Sequence, residues 1–495
     1  MKKRIFVAIL LLLSLYPAAN AATLYRIRFA YYPQKIRIVF DLNGAFSYDT
    51  DESKEKIVVR FKETEAGPDI QNYVELNDLI IRYLEIQKEE QDLKITIPLG
   101  EEVEYNIFYL NGPPRLVIDF GRDFLNVVSG GTIADGIEFL RARKGSSSGI
   151  MEACALKINL DKAEIEPALA QKTAPTFVES VIGFLSPWKE DKPVNGGGFA
   201  LDKVSHIVDE NDGIAGINGT YFAYSGRPLG ALIVNQEMVS FSIYDRTAFF
   251  LDLNNQPYID NIDVASHFSI ENGSRFEITG INQPRGTSDI IMYTRSWGPK
   301  TASNNQGVEL VVENSAISNI NIANSEIPED GYVLSISGPM VEPLLDVAKL
   351  GSIINSRIKI LPFSTFPQNI RHLIAGGPRL LKKGKIYVSK HAEKFRQDIA
   401  RGRAARTAIG ITKDDEILLV TINGPQKGKK DSQQTSIGAT LEELAALMSS
   451  LGAVEAMNLD GGSSSTMVIN GKVVNSPVGN NQRRVSNAIL IRPKT

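Results

Sequence analysis

The chain has 495 residues, 43% apolar and 22% charged, a make-up that excludes a disordered or fibrous protein. Lys and Arg number 54 against 57 Asp and Glu, a formal net charge of −3, so there is no electrostatic footprint for nucleic acid. The four histidines, His206, His267, His372 and His391, show no metal-ligand spacing, and the single cysteine, Cys154, has no internal partner. Large cores rather than disulfides must therefore hold the chain.

The first 21 residues read as a secretory signal. Lys2, Lys3 and Arg4 precede an apolar run from Ile5 to Leu15, and Ala19-Asn20-Ala21 forms a small-x-small cleavage site. The run is well short of the roughly 18–20 residues a membrane span needs, and no later segment is long and apolar enough either. The expectation is an exported protein, in periplasm, cell wall or medium, with no transmembrane span in the mature chain.

Residues 22–122 read as a small all-β domain. "KIRIVFDL" puts Ile36, Ile38, Phe40 and Leu42 on one face, and "LKITIPL" repeats the alternation with Leu93, Ile95, Ile97 and Leu99. "IVVRF" and "PRLVIDFG" supply two further strands. The order of these runs resembles an AMIN domain, and that resemblance implies binding of cell-wall glycan. Residues 123–136, containing "NVVSGGTIADG", read as a linker, and residues 137–495 as a second domain that mixes strands and helices. The predicted class is thus a mixed α/β (α+β) domain preceded by an all-β one. "ACALKINL" places Cys154 in an apolar strand, and "KGSSSG" (144–149) and "NGGGF" (195–199) read as exposed loops.

The last hundred residues divide more sharply. "RTAIGIT" and "EILLVTING" are strands, and the cationic "PQKGKKDSQQTSIG" is a loop. "TLEELAALMSSLG" is a helix whose Thr440 and Glu443 form a capping box and whose Gly452 ends it, which accounts for Glu443 without a catalytic role. "AVEAMNL" is a strand, and "TMVINGKVVN" a hairpin turning at Asn470-Gly471. Between them lies "DGGSSS". The hairpin supplies its own turn, so this cluster is not needed to reverse the chain. Asp460 can serve as base, nucleophile or cation stabiliser, while Gly461, Gly462, Ser463 and Ser464 can offer donors to an anion. The segment is not a G-x-S-x-G elbow, and "GPQKGKKD" is not a P-loop.

With "INGTYF…GRPLG", "GGPRLL", "ARTAIGI", "SIGATLEELAALMSSLGAVEAMNLDGGSSSTMVINGKVVNSP" and "RRVSNAILI" in order from about Ile137 to Arg492, the chain resembles the phosphodiester glycosidase family. The resemblance implies hydrolysis between the anomeric carbon and the phosphate oxygen of a sugar-1-phosphodiester such as an N-acetylglucosamine one. Asp460, Arg406 and Asn218 are then the catalytic candidates. Asn458, Gly461, Gly462, Ser463, Ser464, Arg483, Arg285, Arg379 and Thr407 are substrate-binding candidates, and guanidinium groups suit phosphate geometrically. Tyr293 and Trp297 are either a sugar platform or core. Where the family carries acids, this chain has Ala223, Asn423 and Gln482, and Ser463 stands for a third glycine. No cofactor is called for, a divalent cation stays open, and the alternative is an envelope protein that binds phosphoglycan without turnover.

Overall fold

In the computed structural model the described residues are 22–76, 78, 80–171, 198–426 and 436–494. Residues 1–21, read above as a secretory signal, most of "NGGGF" and most of the cationic loop at 425–438 lie outside them. The chain divides into two compact units, residues 1–126 with 145–149, and residues 127–144 with 150–495.

The first unit contains two five-stranded sheets. In one, Lys35–Asn43 pairs antiparallel with Ala22–Tyr31 and Arg115–Gly121; in the other, Asp92–Pro98 lies between Lys56–Phe61 and Tyr83–Glu89. The period-two pattern selects the inner faces: Ile36, Ile38, Phe40 and Leu42 face Ile57, Val59, Phe61, Leu93, Ile95 and Ile97, all buried. Phe40 and Phe61 join the sheets edge to face, with ring centroids 5.7 Å apart.

The second unit corrects the expected α/β class. Strand makes up 51% of the structure and helix 8%, so this part too is built of sheets. The longest described helix is the ten-residue Leu441–Ser450. The apolar runs from Ile137 onward are short and rich in Val and Ile, and periodicity alone cannot tell such runs from pieces of buried helix. Residues 123–136 are also not a bare linker, because Leu125–Ala134 is a strand at the edge of an eight-stranded sheet. The "KGSSSG" stretch closes the hairpin between Ile137–Ser146 and Gly149–Ile158, with Lys144 buried rather than exposed.

Three strands at the middle of the eight-stranded sheet carry the site. Arg406–Thr412 pairs with Ile417–Ile422 on one side and Ala453–Asn458 on the other. Both Arg406–Thr412 and Ile417–Ile422 are buried along their whole length, as strands covered on both faces are. A five-stranded sheet containing Ala215–Asn218, Met467–Ile469 and Asn487–Pro493 shares a core with them through Ile217, Ile409, Leu419, Met457, Met467 and Ile489. A second core, with Phe250, Phe268, Leu310 and Leu334, fills the space between two other sheets. Cys154 is buried in the first core, and burial pushes its thiol up to about 11, so it behaves as a small apolar side chain.

Local signals near the C-terminus hold. Thr440 accepts from the Glu443 N–H at 3.2 Å while the Glu443 carboxylate accepts from the Thr440 N–H at 3.0 Å. Asn470 and Gly471 both take positive φ, the two-residue turn that the hairpin needs. Thr440→Ala is expected to lower the opening free energy of the amides of Leu441–Ser450 by about 1 kcal/mol, read by hydrogen exchange. An unchanged exchange pattern contradicts a role for the box.

Candidate active site

The strand ends bring Asn218, Arg406, Asn458 and Asp460 together. Asn218, at the end of Ala215–Asn218, is buried, and every polar atom of its amide is engaged. Its Nδ2 donates to the main-chain oxygen of Asp460 at 2.7 Å, and its Oδ1 accepts from Thr407 Oγ1 at 2.9 Å and from the Thr466 N–H at 3.1 Å. The Asp460 N–H donates in turn to the Gly219 carbonyl. Asn218 and Thr407 therefore hold the Asp460 loop in place. Ser465 completes this clamp, its hydroxyl lying 3.0 Å from that of Thr407.

The Asp460 carboxyl sits in a poor dielectric. Burial pushes it up to about 6, against the opposing pull of the Ser464 hydroxyl, Arg483 and the Gly461 N–H. A carboxyl with a pKa in that region exchanges protons near neutral pH. Arg483, exposed, reaches the Ser464 hydroxyl at 3.2 Å and lies over the Phe222 ring at 4.9 Å.

The glycines act differently from the expectation. The Gly462 N–H donates to the Ala405 carbonyl, the Gly461 N–H to Asp460 Oδ1, and the N–H groups of Ser464 and Ser465 close a turn on Gly461 and Gly462. In 461–465 only Ser463 keeps an N–H without a partner among the described residues. The loop is stitched to the strand before Arg406 and forms no open backbone nest. Ser464, fully buried, tunes Asp460.

Arg406 is buried beside this loop. Its Nε donates to the Ala439 carbonyl at 3.0 Å and its Nη2 to the carbonyls of Ile399 and Gly402, leaving Nη1 without a partner among the described residues. Burial pulls its pKa below the usual guanidinium range. Two residues not foreseen from sequence complete the group. Tyr221 donates to the Gly377 carbonyl at 3.0 Å and accepts from Asn458 Nδ2 at 2.8 Å. Its phenol is pushed up, first by burial and then by the Asp460 charge, and it also feels Arg406 and Arg246. Arg246 lies with its guanidinium 4.3 Å from the Phe395 ring centroid, its Nε buried and unpartnered. Tyr221 is visible within "INGTYF", whereas nothing in "YDRTAFF" marks Arg246.

Asn458 is buried; its Nδ2 braces the Tyr221 hydroxyl, and its Oδ1 has no partner among the described residues. Arg285 and Arg379 do not join the site. Arg285 is buried in the second core region, bonded to Ser335 and Asn304, and Arg379 is tied to Glu455 at 2.6 Å and to Asp260. Tyr293 and Trp297 are buried in a cluster of their own, not a platform. Two positions lacking family acids serve as latches. Gln482 brackets Ser205 through both amide atoms, and Asn423 bonds Glu152 and the Ser476 N–H. No group of three His, Cys, Asp or Glu gathers as a metal cluster among the described residues.

Two solved structures share this fold: a hypothetical protein from Synechocystis (TM-score 0.60, 22% identity, covering 96% of this chain and 81% of that one) and a protein from Burkholderia pseudomallei (TM-score 0.55, 19% identity, 91% and 96%). Two curated relatives are N-acetylglucosamine-1-phosphodiester alpha-N-acetylglucosaminidases. The one from Mus musculus is 26% identical over 164 residues, which is 30% of this chain and 29% of that protein; the one from Bos taurus is 28% identical over 135 residues, 24% of each. The aligned part thus spans less than a third of either relative's length. Asp460, Arg406, Asn458 and Arg483 all fall within residues 302–492, the part of the chain that matches the phosphodiester glycosidase family.

Proposed function

We propose that this chain is an exported hydrolase that cleaves the glycosidic C–O bond of sugar-1-phosphodiesters, N-acetylglucosamine-1-phosphodiesters among them, in envelope or extracellular glycopolymers. The observation that carries the reading is a single carboxyl, Asp460, raised to about 6 and within the field of Arg483, on a loop whose glycines pack against the strand end that carries Arg406. The nearby Glu393 carboxylate is already spent on Thr247, the Arg379 N–H and Ser389.

One carboxylate suffices for this bond. The leaving group is a phosphomonoester whose own pKa lies near 6, so it departs with little help from a general acid. Arg406 and Arg483 meet the charge that grows on it, and a desolvated guanidinium does so more strongly than one in water. The C1–O bond breaks with its electron pair going to the phosphate oxygen, and a water oxygen ends on C1. Ionised Asp460 faces the positive anomeric carbon, as nucleophile or as base for that water. Asn218 and Thr407 keep the carboxylate aimed, as the ~0.5 Å tolerance of such chemistry requires.

The N-terminal unit is proposed to hold the enzyme on cell-wall glycan. Its resemblance to an AMIN domain and its exposed Tyr31, Tyr32, Tyr73 and Tyr109 support that role.

Purified protein is expected to release free sugar from methyl α-N-acetylglucosamine-1-phosphodiester. Arg406→Lys should lower kcat/KM by about 10²–10³, because a lysine reproduces the charge but not the fork. No release by the wild type, on this or on envelope-derived sugar phosphodiesters, rejects the hydrolase and leaves a phosphoglycan-binding protein.

A further inference from the structure

Beside Tyr221 a second group of side chains carries two cations whose partners among the described residues are aromatic rings. Arg246 forms no ion pair and donates no side-chain hydrogen bond among the described residues, and its Nε is buried without a partner. A half-buried guanidinium without an ion pair is ready to meet an anion. Its guanidinium carbon lies 5.7 Å from the centroid of the Tyr244 ring, and Lys394 Nζ lies 5.2 Å from that same ring. Tyr244 remains 57% exposed, so part of the ring stays open to solvent with both cations close to it.

Both partners are held in a demanding backbone. Tyr244 has φ 58° and Lys394 φ 55°. The left-handed region costs a residue with a Cβ about 1–2 kcal/mol, and strain of that kind gathers at ligand sites. The two residues come from separate turns, one after the strand Glu237–Ser240 and one before the helix Gln397–Arg401, so no single local turn motif explains both. Phe395, under Arg246, lies 5.8 Å from Tyr221, which joins the group to the Asp460 site.

We propose that Tyr244, Arg246 and Lys394 form a second subsite, on the leaving-group side of Asp460, for a sugar that carries a further phosphate. The inference rests on the hydrolase reading, which puts the scissile phosphate at Arg406. What is attached beyond that phosphate then runs along Tyr221 and Phe395 to the exposed ring. An aromatic face suits the C–H face of a pyranose, and flanking cations suit a phosphate at its edge. The substrate class that uses every group is a polymer of glycosyl phosphates linked in series, in which each leaving unit bears the next phosphodiester. A neutral aglycone leaves Arg246 and Lys394 unpaired.

The test is equilibrium binding, which needs no turnover. N-acetylglucosamine 6-phosphate imitates a leaving unit with one phosphate, and N-acetylglucosamine 1,6-bisphosphate one with two. Titration calorimetry at constant ionic strength should give the wild type a Kd about tenfold lower for the bisphosphate, the value of one added charge-assisted contact. That ratio should fall to about twofold or less in Arg246→Gln and in Lys394→Gly, the latter chosen because glycine accepts the positive φ without strain. Equal affinities in the wild type, a ratio that survives both substitutions, or no binding of either sugar phosphate overturns the subsite. Sugar release from the methyl phosphodiester, measured alongside, separates the two claims. Release with equal affinities removes only the subsite, and a tenfold ratio without release removes only the hydrolase.

Discussion

Asp460→Asn should abolish turnover and make the protein more stable. The expected loss is about 10³-fold or more in kcat/KM, since the one carboxylate that meets the anomeric carbon is removed. The gain in stability follows from the same burial. Asp460 ionises near 6 in the fold, against about 4 for an unfolded aspartate. The folded state therefore binds that proton more tightly, and keeping the carboxylate ionised above pH 6 costs folding free energy. That difference corresponds to at most about 3 kcal/mol, and partial exposure of the residue reduces this to about 1–3 kcal/mol. Asparagine escapes the cost, so the variant should unfold later than wild type at pH 8. The advantage should fade as pH falls through 6 and vanish near 4, where both states of the wild type are protonated. Wild-type kcat/KM should rise through about pH 6 and then level off, because ionised Asp460 is the active form. A variant that is both inactive and less stable at pH 8 contradicts the desolvated carboxylate.

Gly219→Ala should be the most damaging single methyl near the site. A Cβ at that position would stand 2.0 Å from Asn487 Oδ1 and 2.9 Å from Ile374 Cδ1. Asn487 is buried and its Oδ1 accepts from the Thr220 N–H, so it cannot swing aside without stranding that donor. The Gly219 carbonyl is also the acceptor for the Asp460 N–H, so any backbone shift moves the catalytic loop. Destabilisation of more than about 3 kcal/mol is expected, and about 10²-fold lower kcat/KM in whatever folds. Thermal unfolding together with kinetics on the soluble fraction reads both. Native stability with native activity shows that the strand can yield here.

The sequence disclosed the parts whose signals are local. Alternation predicted the buried faces of Lys35–Asn43 and Asp92–Pro98, a capping box predicted the start of Leu441–Ser450, and Asn470-Gly471 predicted a hairpin. It misled where meaning depends on partners far along the chain. Short Val- and Ile-rich runs from Ile137 onward fit more than one fold class until their pairing is known, and they pair as antiparallel strands. The "DGG" glycines looked like donors because free N–H groups are cheap to imagine, yet Ala405, 55 residues earlier than Asp460, takes one of them. Arg379 and Arg406 are both candidate site residues in the sequence, and in the fold each opens a strand. The acids Asp260 and Glu455 neutralise the first, whereas only carbonyls hold the second and leave Nη1 over.

If Asp460 acts on an anomeric carbon, water must add to the sugar and not to phosphorus. Hydrolysis of methyl α-N-acetylglucosamine-1-phosphodiester in ¹⁸O water separates the two, with both products analysed by mass spectrometry before the sugar exchanges its anomeric oxygen. The expected result is label in the released N-acetylglucosamine and unlabelled methyl phosphate, with no labelled product from Asp460→Asn. Label in a phosphate product would mean that the P–O bond is cut, and the role given to Asp460 would then be wrong.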